Sequence, residues 1–372
     1  MNRTKMATQT VVGLAIASVS LAACSPTPSG EGGASAEAVY VKSDRTAEVS
    51  SWCGDKKLTI GMSDGANNAA RKQMLKVIEN EVAKCDSLDS NVLYANADGD
   101  QQKASSDISG LVSRGVNVLL INPDFGPAQL PAIRAATQAG VVVIPMVVDP
   151  GGTPGADYAA KVYRDGAVDG KNLAGWMVTA LKGKGNVVHL GGIAGNPFSG
   201  AAHKGIEEVF AASPDIKLMN DEPVTTNWSA AGAQTAMTGL LASNPQIDGV
   251  ITESGEVAEA VANVFANAGL PIPPIATSSI TNALGCSYEE FAERGKAYPL
   301  FSADHVFDNV SLALRTGVMV ANGKEAPKNQ VYELTPTVDT IQGKNPVCKP
   351  DLPAGADPSS PLTDAEIKAL FQ

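Results

Sequence analysis

Side chains able to do chemistry are plentiful in this sequence, but few stand at a spacing that catalysis requires. The three histidines, His189, His203 and His305, are scattered, and none sits at the short interval from a cysteine or another histidine that a metal site needs. Glu207 and Glu208 adjoin on one helical stretch, where neighbouring side chains diverge. The run from Gly166 to Lys171 has too few residues between its glycines for a phosphate loop, and Asn172 stands where a hydroxyl is needed. Gly183-Lys184-Gly185 precedes a strand pattern instead of following one, which makes it a turn and not a dinucleotide fingerprint. No Gly-x-Ser-x-Gly elbow occurs. No catalytic residue, metal ligand set or cofactor motif is therefore assigned. What recurs instead is polar or aromatic residues placed just after short apolar runs: Ser63, Asp64 and Asn67; Asn122 and Asp124; Asp149; Asn196 and Phe198; Asn227 and Trp228; Glu253 and Ser254; Ser278 and Ser279; Asp304 and His305. Planar polar groups and hydroxyls of this kind hydrogen-bond hydroxylated ligands, and an aromatic face covers an apolar one.

The apolar runs explain that placement. Residues 58–62, 91–95, 116–121, 141–148 and 161–164 are β-branched and are ended by Gly, Asn, Asp or Pro, the pattern of buried strands. Helical periods at about 67–84, 100–114 and 128–139 alternate with them. A second series follows, with strands at 186–190, 216–219, 249–252, 275–277 and 300–303 and helices at 167–181, 200–212, 229–242 and 256–268. Strand, helix, strand repeated twice predicts an α/β protein of two doubly wound parallel-sheet lobes. In such sheets a ligand sits outside the carboxyl ends of the strands, where the polar residues above fall. Residues 306–322 predict one more helix and 331–334 a late strand. Thr363 and Glu366 form a capping box that opens a short terminal helix.

At 372 residues the chain exceeds the usual single core. A net charge of -11 with no basic run argues against a nucleic-acid surface. Arg3 and Lys5 precede an apolar stretch at 11–21, too short to span a bilayer, and Leu21-Ala22-Ala23-Cys24 resembles a bacterial lipobox. Cleavage before Cys24 and lipidation of its thiol would anchor the chain to a membrane, placing it in the cell envelope. Residues 25–51 are rich in Ser, Gly, Ala, Pro and Glu, the composition of a tether. Trp52 falls in that tether and Trp176 within a helical period, so both are expected to pack. Four cysteines remain. An exported protein favours their pairing, and of the three connectivities Cys53–Cys85 with Cys286–Cys348 is preferred, the first bracketing one strand and helix, the second stapling the tail.

Leu119-Leu120-Ile121-Asn122-Pro123 after Ser113-Arg114-Gly115, then Gly192-Ile193-Ala194-Gly195, then Asn227-Trp228-Ser229 opening a helix, together resemble the type I periplasmic binding proteins of the ribose and galactose group over about residues 57–340. The resemblance implies a monomeric receptor of an ABC importer, with permease and ATPase subunits as partners, that captures a monosaccharide or polyol when two lobes close about a three-segment hinge. Ligand sensing for a signalling receptor, or a non-sugar solute, is the alternative. It implies a leader at 1–23, a lipidated tether at 24–56, a first lobe of 57–164 with 306–334, a second of 165–305 with 335–342, and a tail at 343–372. The ligand contacts it implies are Ser63, Asn67, Asn122, Asp149, Asn196, Phe198, Trp228, Glu253, Ser279 and Asp304, with Trp228 stacking on the sugar. A register two residues back puts Val147 in place of Asp149. Arg71, on a long helix, is expected at the surface, the alternative being an approach to an anionic or hydroxyl-rich ligand.

Overall fold

A computed structural model describes residues 37–42, 44–244, 246–304 and 306–372. The leader, Cys24 and His305 lie outside the described residues. Two sheets organise them. The first runs, edge to edge, Val39–Val41, Asn329–Tyr332, Lys161–Tyr163, Val142–Val147, Val118–Asn122, Ile60–Asp64 and Leu93–Asn96, every neighbour parallel. The second runs Thr335–Asp339, Leu300–Asp304, Ile275–Thr277, Gly249–Thr252, Gly185–Gly191 and Ile216–Leu218, with Val224–Thr225 beside Gly185–Gly191. Only Thr335–Asp339 is antiparallel to its neighbour.

Helices pack on both faces of each sheet, so central strands such as Ile60–Asp64 and Val118–Asn122 are buried throughout. This explains why they read as continuous apolar runs and not as alternating ones. In the first lobe Ala69–Val82 and Val306–Ala321 cover one face, closing a core around Met62, Ile78, Leu120 and Phe307. Gln101–Ser113 and Leu130–Gln138 cover the other around Ile108, Ile121 and Ile133. In the second lobe Gly166–Ala180 and Pro197–Ala211 lie together on one face, and Ala230–Ser243, Gly255–Asn267 and Asn282–Glu293 on the other. The chain passes between the sheets after Lys161–Tyr163, after Leu300–Asp304 and between Asn329–Tyr332 and Thr335–Asp339.

Both ends of the described chain depart from expectation. The segment expected as a tether to residue 56 is folded from Val39, which adds an edge strand to the first sheet. Arg45 Nε then donates to Asp308 Oδ1 at 2.8 Å, and the helix Val49–Trp52 drops Trp52 into the first core at 2% exposure. Low complexity concealed the edge strand, while Trp52 packs as its residue type implied. The tail is no appendage either. Leu352, Ala356, Leu362 and Ile367 join the first core, while Asn282 Nδ2 donates to the carbonyls of Lys349 and Leu352 on the second-lobe side. The terminal helix Asp364–Leu370 starts at the Thr363–Glu366 capping box. Disulfides join Cys53 to Cys85 and Cys286 to Cys348, so the tail is stapled to the second lobe and embedded in the first.

Candidate binding cleft

The carboxyl ends of the two sheets face each other across a cavity of about 90 Å³. Its first-lobe wall starts where Ile60–Asp64 turns into Ala69–Val82. The Asn68 side chain caps that helix by accepting from Arg71 N at 3.2 Å, which sets Arg71 in the first turn. Its guanidinium points inward: Nη2 reaches Asp124 Oδ1 at 2.9 Å and Nη1 stands 3.4 Å from Asp64 Oδ1. Gly65 makes this approach possible, since a Cβ there would come within 2.7 Å of the Asp124 carboxylate. Two carboxylates around one cation leave a surplus of buried negative charge. Burial, only partly offset by Arg71, pushes Asp64 up to about 7 and raises Asp124 as well. Met74, Val147 and Val148 complete this wall. Val147 holds φ at 65°, a left-handed conformation costly for a β-branched residue, and its N–H donates to Asn309 Oδ1 at 3.1 Å.

The second-lobe wall is aromatic and acidic. Asn227 and Trp228 take φ of 53° and 49°, and this consecutive left-handed pair turns the indole back across Gly192, where a Cβ would lie 2.0 Å from the ring. Trp228 Nε1 donates to Glu253 Oε2 at 2.8 Å, and Ser199 Oγ donates to the same oxygen at 2.7 Å. Ser254 and Ser279 line the same side, Ser279 Oγ accepting from Gly255 N at 2.9 Å. At the hinge, Arg164 donates to Asp169 Oδ2 from Nε and Nη2 and lays its guanidinium 4.6 Å from the Phe198 ring centre. The lobes meet directly: Asn196 Nδ2 donates to the backbone oxygen of Asp124 at 2.8 Å, and Phe198 packs into the first-lobe cluster. The lobes are thus in contact beside the cavity.

Of the residues singled out by their position after a strand, Phe198, Trp228, Glu253, Ser254 and Ser279 line the cavity. Ser63 and Asn122 lie buried beneath the floor, Asn122 Nδ2 facing Met74 Sδ at 3.9 Å. Asn67 is exposed and its neighbour Asn68 takes the lining place. Asn196 caps Pro197–Ala211 and bridges the lobes. Asp304 turns the hinge crossing, accepting from Ile280 N and Val306 N. Asp149 is drawn off by Lys161 at 2.6 Å, so Val147 and Val148 line the wall there. Arg71, expected at the surface, is 6% exposed in the floor. Its position three residues after the capping Asn68 was the available signal, because a first-turn side chain at a strand's carboxyl end faces the cleft. Among the described residues no group of three His, Cys, Asp or Glu is arranged to hold a metal ion.

Comparison with known proteins agrees with this geometry. The chain is 28% identical to the xylitol-binding protein of Mycolicibacterium smegmatis over 185 residues, half of this chain and 52% of that one. It is 26% identical to the ribose import binding protein of Bacillus subtilis over 230 residues, 62% of this chain and 72% of the relative. The chain thus spans between about half and three quarters of these relatives. The fold matches that of the fructose binding periplasmic domain of a hybrid two component system with a TM-score of 0.66 at 22% identity, over 76% of this chain and 91% of that domain. A family model for the periplasmic binding protein domain matches residues 60–324, and with two such lobes closed over one cleft the chain belongs to that family.

Proposed function

We propose that this protein is the solute-binding receptor of an ABC importer, capturing a small neutral polyol or monosaccharide between its lobes. The observation that carries the reading is the cavity between the two sheet ends, with an indole on one wall and an arginine–carboxylate floor on the other. Each guanidinium at the cavity already has carboxylate partners, Arg71 with Asp64 and Asp124 and Arg164 with Asp169, so neither is left over for a ligand acid or phosphate. The small space between the lobes, about 90 Å³, favours a single small solute over an oligosaccharide. The names of the xylitol and ribose relatives support the same class. Lobe closure over the ligand, stabilised by contacts such as Asn196 to Asp124, is the state offered to the permease. Export and a lipid on Cys24 keep the receptor at the membrane.

Titration calorimetry against pentoses, hexoses and polyols tests this. Saturable heat with at least one of them, lost in Trp228→Ala, is the expected result. Silence across the whole panel from a folded protein would remove the ligand class, and hydrolysis or conversion of any compound would remove the receptor.

A further inference from the structure

The polar groups that line the cleft are not spread evenly around it. Asn68 and Arg71 stand at the first-lobe floor, Arg164 at the hinge, and Glu253, Ser254 and Ser279 on the second lobe. The two serines keep hydrogen-bonding capacity. Ser254 precedes Gly255–Asn267 without capping it through its side chain, and Ser279 Oγ, which accepts from Gly255 N, still has its own hydrogen to donate. The rest of the lining is apolar. Met74, Val147, Val148, Phe198 and Val306 line the cavity and also belong to one hydrophobic cluster, the core of the first lobe. That core therefore reaches the cavity wall directly.

Polar residues of this region are turned elsewhere. Asn122 lies behind Met74, its Nδ2 3.9 Å from Met74 Sδ. Asn309 is fully buried and accepts from Val147 N at 3.1 Å. Asp149 is held by Lys161. The backbone that leaves valines in their place is strained. Val148 N donates to Met146 O at 2.7 Å, and with Val147 at φ 65° between them the three residues form a γ-turn of the rare, positive-φ kind. This turn ends the strand Val142–Val147 at the cleft, where Arg164 N donates to Val147 O at 2.9 Å. A β-branched side chain is poorly suited to such a turn. Valine there gives the wall a branched apolar group at a cost in backbone energy, which is the pattern of strain held at a working site.

We propose that the ligand is a deoxy sugar, hydroxylated along one edge and carrying a methyl or methylene carbon on the other, with that carbon seated against Met74, Val147, Val148 and Val306, and that Val147 sets the preference. A hydroxyl turned onto these side chains gives up its hydrogen bonds to water and finds no partner. A methyl or methylene in the same place buries apolar surface instead. The hydroxyls of the other edge are left for Asn68, Ser254 and Ser279.

This assignment rests on the reading of the cleft as a sugar site, and the experiment separates the two. Titration calorimetry on the full chain uses pairs that differ by hydrogen in place of one hydroxyl: L-fucose with L-galactose, D-fucose with D-galactose, L-rhamnose with L-mannose, and 2-deoxy-D-ribose with D-ribose. In the pair that contains the tightest ligand, the deoxy member is expected to bind about tenfold more tightly or better. Val147→Thr keeps the branched Cβ and the strained backbone but puts a hydroxyl on the wall, and the ratio is expected to shrink about threefold or more. Val306→Thr, at the start of the helix Val306–Ala321, makes the same change away from the strained turn and is expected to act in the same direction, so the wall stays testable should Val147→Thr fail to fold. A smaller native ratio, or a preference for the hydroxylated member, overturns the deoxy assignment and leaves the cleft reading intact, because a sugar has bound. A native ratio that persists in every folded variant overturns the apolar wall as its source. Silence from all pairs in a folded protein overturns the sugar reading and this assignment with it.

Discussion

In the first lobe one guanidinium, Arg71, stands between two carboxylates, Asp64 and Asp124, whereas in the second one carboxylate, Glu253, is held by an indole, a hydroxyl and an imidazole. Both walls bury charge, but with opposite surpluses. On the first wall the cation cannot fully compensate two anions, so burial raises both acids and Asp64 changes charge near neutrality. On the second wall one carboxylate oxygen has two donors, Trp228 Nε1 and Ser199 Oγ.

Cutting what ties the walls together has the largest expected effect. The tail is joined to the second lobe by Cys286–Cys348, which closes a 62-residue separation, and its Gly355 and Asp357 bond Gln73 on the first-lobe helix. Replacing both cysteines by serine is expected to cost ~4 kcal/mol on a chain-entropy basis, read from urea denaturation without reductant. Small-angle scattering of the unliganded variant should also show a wider distribution of lobe separations. An unchanged denaturation midpoint would mean that the tail holds without its staple.

Removing the lone cation should hurt more than neutralising the lone anion. Arg71→Met leaves two buried carboxylates facing each other and is expected to destabilise by ~3 kcal/mol, with part of that recovered in Arg71→Met/Asp64→Asn. Glu253→Gln keeps shape and one acceptor and should cost about 1 kcal/mol. Equal costs would erase the contrast between the walls.

Trp228→Ala should raise the Kd for a bound polyol or sugar at least tenfold, equivalent to ~1.4 kcal/mol or more, with little change in melting temperature because the indole lies outside the packed cores and is only partly buried. Loss of both affinity and stability would make Trp228 a core residue instead.

The smallest effect is a change of slope. Asp64 has a folded value near 7 against 3.8 unfolded, so between these limits the unfolded chain is ionised while the folded one still holds its proton. Folding then binds protons, and stability must fall as pH rises from about 4 to 7. Asp64→Asn should flatten that part of a melting-temperature profile. A native profile that rises across the window would contradict the buried surplus of acid.

Local pattern determined much of this protein. β-branched runs and helical periods specified two doubly wound units, and chain polarity put Trp228, Glu253 and Ser279 at strand ends facing a common cleft. The cavity lining could be read that far because a parallel sheet allows only one end for its loops. Which neighbour in a loop turns inward is a matter of the partner each side chain finds, near or distant in sequence. Arg71 is pulled in by Asp124, 53 residues on, Asp149 is pulled away by Lys161, and Asn68 displaces Asn67 by capping a helix. The same holds at the ends, where Trp52 and the tail contribute apolar anchors too sparse to make a period, yet enough to fill a core the rest of the chain had built. Periodicity reports the face an element buries, and only the assembled lobes decide which charges meet.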